Sequence, residues 1–340
     1  MATKEISPVP SFFFNTTTAY IFKRLGQGAF VIFLVSLLSF FLLKLSPGDC
    51  LSDLRFDPSI TKEFIESEEI RLGYDKPVYM QYFIWLSSAL RGNLGQTCQG
   101  SIPVLSLVGA RAGTTLMLSF ATIVITWAIA IPVGIFAAVK QNTWGDRLVQ
   151  VISYFFQGFP SFVLAILLLM LAQNTSLFPV GGLTSIDFSD LSWFGKVVDI
   201  GYHLFLPVLT LTIISFAGLQ RLMRGNLLDV MRQDYIKTAR AKGLPENKVI
   251  YVHALRNAFN PMVTLLGYEF GALLSGSFIT EFFFSIPGLG RLLLEAVFQR
   301  DVSLVMAGLM IGTFMLVIGN IFADLMLKLL DPRIKLEEMD

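Results

Sequence analysis

Two glutamates stand in stretches that are otherwise apolar. Glu269 lies in TLLGYEFGALLSGSF, and Glu281 follows nearer the end of the same run. A carboxyl in hydrocarbon is costly, so each implies either a functional role or a hydrogen-bond partner. For Glu269 both readings stand. Either it faces a solute path, with Ser275 beside it, and helps a cationic group such as an ammonium across. Or it is a carboxyl hydrogen-bonded between helices.

Other reactive side chains are sparse. Cys50 and Cys98 are the only cysteines. They are either two free thiols or a disulfide, if their side of the membrane is oxidising. No CxxC or Cys/His spacing suggests a metal or redox site. His203 and His253 stand alone and read as structural. GxxxxGK[ST] is missing, and the clusters Gly26/Gly28, Gly181/Gly182 and Gly288/Gly290 lack the strand–loop–helix context of a phosphate loop. No Ser/His/Asp or paired-carboxylate arrangement has the context of an active site. The chain therefore reads as no enzyme, with no cofactor of its own and no nucleic-acid partner.

The elements that hold these residues are set by composition. Of 340 residues, 54% are hydrophobic and 15% charged, and the mean hydropathy is +0.65. A soluble chain carries nearer a quarter charged residues. Six apolar runs approach or exceed the length of a bilayer-crossing helix: about Leu25–Leu43, Thr114–Val139, Leu148–Ala172, Leu204–Leu219, Met262–Phe284 and Val302–Leu327. Each must be helical, because unpaired backbone is not tolerated in lipid. Pro132 and Pro160 lie inside the second and third runs, where they can kink the helix. The first run is too long for the core of a signal peptide and lacks a small-residue cleavage site, so an uncleaved span is expected.

Orientation follows from the basic residues at the span ends. Lys4, Lys23 and Arg24, then Lys140 and Arg147, then eight Lys and Arg from Arg221 to Arg256, then Lys328, Arg333 and Lys335 all fall on one side if there are six spans. That side is expected to be cytoplasmic, with residues 1–24 and the tail 328–340 both inside. The opposite side receives the long connection 44–113, which carries both cysteines. Within it, SITKEFIESEEIRLG reads as a capped helix stopped at Gly73. YMQYFIWLSSALRG spaces Tyr79, Phe83, Leu86 and Leu90 along a helix that either lies in the interface or packs on the bundle.

The most charged module, 234–261, sits between the fourth and fifth spans. Asp234 is a good N-cap, Tyr235–Lys242 gives about two turns of helix, and Gly243 suits the left-handed position past its end. Leu244 follows, Pro245 fits the first turn of a second helix, and Glu246 suits its positive end. That helix runs to about Phe259, and Asn260–Pro261 marks the junction with the fifth span. Two helices joined rigidly to a span make a lever. Tyr235, Lys237, Arg240 and Lys242 would orient a partner, and the small Thr238, Ala239 and Ala241 would let it approach. Binding of lipid headgroups is the competing reading.

DYIKTARAKGL…HALRNA resembles the cytoplasmic loop of integral membrane subunits of ATP-binding-cassette importers, whose general pattern is E-A-A-x3-G-x9-I-x-L-P. Lys237, Thr238 and Ala239, then Gly243, then His253–Arg256 occupy those positions. The Glu, first Ala, Ile and Pro of the pattern are absent, and the form here is similar to that of the dipeptide/oligopeptide/nickel permease family. LSPGD at 45–49, LGYDKPVYMQYFIWLSSALRGNLGQT, FPVGG at 178–182, IPGLGRLLLEAV at 286–297 and LLDPRI at 329–334 carry the same resemblance along nearly the whole chain.

The resemblance implies an all-α, six-span type I importer permease in the inner (plasma) membrane of a prokaryote, the first of two permease subunits. Its partners would be a second homologous permease, two ATP-binding subunits that use ATP and Mg, and an extracytoplasmic substrate-binding protein. Tyr235, Thr238, Ala239, Arg240, Ala241, Lys242, Gly243 and Leu244 would form the coupling helix, with Ala239 and Gly243 at its shaped core. Gly271, Ser275 and Gly276 would pack closely against the second permease. Peptides are the default solute, with nickel, glutathione or another small solute as alternatives. A stand-alone channel or secondary transporter would call for internal repeats or several buried charges, and an intramembrane enzyme for a catalytic pair.

Overall fold

The computed structural model describes residues 12–263, 265, 266, 269 and 277–330, and the side chains of all of these except 12–19, 53, 323 and 326–330. Most of the expected fifth span, with Ser275 and the Gly271–Gly276 stretch, lies outside the described residues. So do residues 1–11 and 331–340. No strand is present among the described residues, only one isolated bridge between Gln96 and Pro103.

Four helices are long and apolar enough to cross a bilayer. They are α1 (Phe12–Leu45), α5 (Val104–Val139), α8 (Trp193–Met231) and, near the C-terminus, α14 (Val302–Leu330). At 1.5 Å per residue, α5 and α8 run to about 54 and 58 Å, well beyond a hydrocarbon core of about 30 Å. The expected Thr114 and Leu204 starts are thus interior points of longer helices. Hydropathy marks only the stretch in lipid, whereas the backbone ladder continues into the polar layers.

The third expected span, about Leu148–Ala172, is broken in the structure. It is two helices, α6 (Trp144–Gln157) and α7 (Ser161–Thr175), bent by 97° at the break. Pro160 causes the break. Its nitrogen has no hydrogen to give, and its ring pushes the preceding Phe159 out of the helical region. It takes the cap position of α7 with an extended ψ of 139°. Fifteen residues of α7 rise about 22 Å, less than a full hydrocarbon crossing.

Helix α5 packs along α8. At Gly134 an added Cβ would stand 2.7 Å from the Gln220 carbonyl oxygen, so only glycine lets the two backbones this close. Helix α6 leans on α8 through Ser153, which donates to Gln220 Oε1 at 2.9 Å, and through Asp146, which binds the Arg224 guanidinium with both oxygens at 2.7 and 2.8 Å. Helix α1 crosses α14 where Gly28 faces Val317. The Tyr20 hydroxyl ties the crossing to Asp324 at 2.6 Å, and Arg24 joins the same carboxylate.

The first connection folds as a cap. It contains a turn of helix α2 (Ser52–Arg55), then α3 (Lys62–Leu72) and α4 (Val78–Ala89). Thr61 caps α3 by accepting from the Phe64 amide, and Gly73 ends it at φ 73°, as the sequence pattern predicts. Helix α4 resolves the two readings of its face. Tyr82 is buried against Phe40 and bonded to Ser36 at 2.9 Å, whereas Tyr79 and Phe83 point outward and exposed. Cys50 and Cys98 are joined as a disulfide across 48 residues, both buried beneath Leu51. Asp301, at the start of α14, accepts from the Cys98 amide at 2.6 Å and so holds this cap on the bundle. Burial pushes the Asp301 carboxyl above its ordinary pKa, while the amides of Cys98 and Leu304 work against that.

Candidate functional site

After α8 the chain turns through Arg232 and Gln233 into α9 (Asp234–Ala241). Gln233, not Asp234, occupies the extended cap position. Asp234 falls in the first turn, where its charge suits the helix dipole. Lys237 at 2.8 Å holds the Asp234 carboxyl below its ordinary pKa. The far end closes as a Schellman motif. The Gly243 amide donates to the Arg240 carbonyl and the Leu244 amide to that of Ala239, with Gly243 at φ 75°.

Pro245 then caps a continuous helical run made of α10 (Glu246–Lys248), a π-helical turn (Val249–Ala254) and α11 (Leu255–Ala258). The π turn had no sequence signal. It places His253, whose buried Nε2 has no hydrogen-bond partner among the described residues. Past Phe259 the chain is helical again at Asn260–Val263, so the Asn–Pro junction barely interrupts the rod.

Two clasps hold the halves of the module together. Arg240 grips Glu246 across the Gly243 turn, at 2.7 Å for the shortest bond, and Asn257 donates to the Tyr235 hydroxyl at 2.7 Å. The Arg240 guanidinium holds the Glu246 carboxyl below its usual range. A pair this exposed contributes at most about 1 kcal/mol, so the clasp sets geometry more than stability.

The two faces of α9 are distinct. Ile236 and Ala239 turn inward and join one apolar core with Val249, Ala254 and Ala258 of the second half, Ala138 of α5, and Met223 and Leu227 of α8. Full burial of Ile236 alone stabilises by about 1.5–3 kcal/mol. Tyr235, Thr238, Arg240, Ala241, Lys242 and Gly243 face outward. Ala239, expected to let a partner approach, is buried in the apolar core that α9 forms with the module's second helix. Its smallness serves the close packing of α9 on the module's own second helix.

Of the membrane carboxylates, Glu269 accepts from Trp127 Nε1 of α5 at 2.6 Å. The Trp127 ring meets Phe259 edge-on, centroids 6.0 Å apart. Phe259, at the end of the lever, thus touches the residue that holds Glu269. Trp127 was not singled out from sequence, although a tryptophan inside a span needs an acceptor for its N–H.

Glu281 is fully buried in the first turn of α12 (Phe278–Phe283) and staples the IPGLG turn. Its Oε1 accepts from Thr115 at 2.6 Å and Ser277 at 3.0 Å. Its Oε2 accepts from the Arg291 amide at 3.0 Å, in the first turn of α13 (Leu289–Phe298). Thr115 in turn accepts from the Leu289 amide at 2.7 Å. The carboxylate therefore caps α13 from another helix. An added Cβ at Gly288 would lie 2.3 Å from the Glu281 carboxyl carbon, which explains the glycine. FPVGG docks beside this turn, the Gly182 amide donating to the Phe284 carbonyl at 2.9 Å. Among the described residues His203 bonds its own helix, through Nδ1 to the Asp199 carbonyl at 2.9 Å and near the Asp199 carboxylate.

These features define an all-α membrane protein in which a rigid two-helix lever is built into the ends of its transmembrane helices. The chain belongs to the family of binding-protein-dependent transport system inner membrane components, whose model matches residues 130–336. The N-terminal model of the same systems' membrane components matches residues 17–128. The chain is 35% identical to the oligopeptide transport system permease protein AppB of Bacillus subtilis over 93% of this chain and 99% of that one. It is 34% identical to the dipeptide transport system permease protein DppB of Escherichia coli K12 over 93% and 98%, respectively. A probable peptide ABC transporter permease protein of Sinorhizobium fredii is 33% identical over 93% of this chain and 99% of its own length. The chain is thus a permease subunit of the bacterial inner membrane.

Truncating Glu281 to Ala strands the buried Arg291 amide and the Thr115 hydroxyl, a loss of about 2–4 kcal/mol. Glu281→Gln, which keeps an acceptor, is expected to lose less. Unfolding midpoints of the purified subunit in a denaturing-detergent titration check the order. An alanine variant as stable as the parent contradicts the staple.

Proposed function

We propose that the chain forms half of the translocation pathway of an ATP-driven peptide importer. A second homologous permease supplies the other half, two separate subunits hydrolyse ATP, and an external binding protein delivers the solute. The names of the relatives support peptides as the solute. Six spans with both termini and residues 234–261 cytoplasmic agree with the basic residues at the span ends. The buried disulfide in the first connection fits the opposite, oxidising side.

One observation carries the mechanism: α9 presents an exposed face while its other face is locked into α5 and α8. An ATPase subunit that binds Tyr235, Thr238, Ala241, Lys242 and Gly243 pushes on a body continuous with the membrane helices. Arg240 holds the turn through Glu246, and Leu244 packs beneath it. The push passes through Phe259 to Trp127 and Glu269, and α5 and α8 tilt, giving alternating access. Because an applied push changes the equilibrium only through differential contacts in the two states, the face of α9 must fit the closed ATPase dimer better than the open one. Glu269 faces the pathway in this reading, at the level where the lever meets α5.

Replacing Gly243 with Leu meets open space but forces a side chain onto a left-handed backbone. The module persists with an altered outer surface. Substrate-stimulated ATP hydrolysis in the reconstituted complex is expected to fall by about tenfold, the effect of losing roughly 1.4 kcal/mol of docking. Full stimulation would refute docking at this turn. For Glu269→Gln, uptake of peptides carrying an extra cationic group should fall severalfold relative to neutral ones in vesicles. Equal uptake of both would return Glu269 to a purely structural bond.

A further inference from the structure

A cavity of about 540 Å³ opens in the outer cap, between the end of α1, the α3–α4 turn and the start of α14. Its polar groups are unbalanced. Lys44, in the last turn of α1, lies with its ammonium 4.1 Å from the Tyr74 ring centroid and makes no hydrogen bond or ion pair among the described residues. Lys76 and Arg71 add two cations to the wall. Trp85 contributes an indole N–H that is buried and has no partner among the described residues. The acidic group in the wall, Asp301, has already committed one oxygen to the Cys98 amide and the other to the Leu304 amide. Arg71 is likewise spent on Glu68 and the Cys98 carbonyl. Lys44, Lys76 and the Trp85 N–H keep unspent donor capacity. A volume of this size suits a small-molecule group, and unspent donors with excess positive charge call for an acceptor-rich anion.

We propose that this cavity binds a phosphate group, supplied by the headgroup of an anionic phospholipid. Lys44 and Lys76 pair with the phosphate oxygens, and the Trp85 N–H donates to a third. The apolar flank favours the lipid source over free phosphate. Tyr79, Met80 and Phe83 of α4 are exposed, and Ile84, also exposed, lies on the cavity rim where an acyl chain would run. The proposal rests on the reading above that this connection lies on the outer side of the membrane, which places the site at the outer leaflet. The bound headgroup would then pin α4, the disulfide loop and α14 to one another beside the entrance for the delivered solute.

The test uses the complete transporter in nanodiscs of phosphatidylcholine with or without phosphatidylglycerol. Native mass spectrometry after release counts retained lipid. One phosphatidylglycerol per complex is expected, with retention about tenfold lower in Lys44→Gln, the effect of one lost charge-assisted bond. Trp85→Phe, which keeps the ring and removes only the donor, should show a smaller loss in the same direction and guards against misfolding of the lysine variant. A second arm titrates inorganic phosphate in phosphatidylcholine alone. Saturable phosphate binding lost in Lys44→Gln, without lipid retention, supports the site with a soluble source. No retention and no phosphate binding, or retention indifferent to both variants, overturns it. A Ser59→Cys variant probed with a membrane-impermeant maleimide separates the two claims. Labelling from outside with no binding sinks the site alone. Labelling only from inside sinks the orientation, and the proposal with it.

Discussion

The seam between α5 and α8 is the contact on which the rest of the structure depends. Gly134 lets the two backbones touch at Gln220 and Met223. Immediately beyond that contact the same pair of helices receives Ile236, Ala239, Val249, Ala254 and Ala258 of the lever into a common core. Close packing of this kind resists continuous deformation. In the proposed mechanism, a force on the exposed face of α9 has few ways to dissipate inside the module and arrives at the membrane helices as displacement. The lever is small and exposed, but it is welded to the two longest helices among the described residues.

The opposite end adds buried polar groups to the apolar packing of Ile286, Leu289 and Leu304. Glu281 gathers Thr115, Ser277 and the start of α13, and Asp301 gathers the disulfide loop and the start of α14. A satisfied carboxylate buried in a low-dielectric site holds its donors to one geometry, because each alternative strands a buried partner. The chain is thus rigid at both ends. Among the described residues the sharp break is at Pro160, where α6 and α7 diverge by 97°.

Much of this was legible before any coordinates. Apolar run length gave four of the six expected membrane helices, because backbone satisfaction in lipid leaves no other solution. The Gly243 turn, the Thr61 cap and the Gly73 stop were readable because each depends on one residue's own conformational preference. What escaped were properties of pairs. The packing of Ala239 against the module's second helix is one, since sequence shows that a residue is small but not which neighbour it meets. Trp127 and Thr115 were invisible as carboxylate partners because they lie 142 and 166 residues away along the chain from Glu269 and Glu281. Pro160 was read as a kink and is a break. A proline's effect depends on whether neighbouring helices re-satisfy the freed backbone, and that is a tertiary fact.

Spin labels at exposed Lys242 of the lever and Lys140 at the end of α5, with a second pair at Lys242 and Phe298 of α13, test most directly whether lever and seam move as one body. Pulsed distance measurements on the whole transporter, with and without ATP under non-hydrolysing conditions, supply the readout. A constant Lys242–Lys140 distance with a shifting Lys242–Phe298 distance is the predicted result. A Lys242–Lys140 distance that changes with nucleotide while α13 stays fixed relative to α5 would contradict it, placing the hinge inside the lever and not in the membrane.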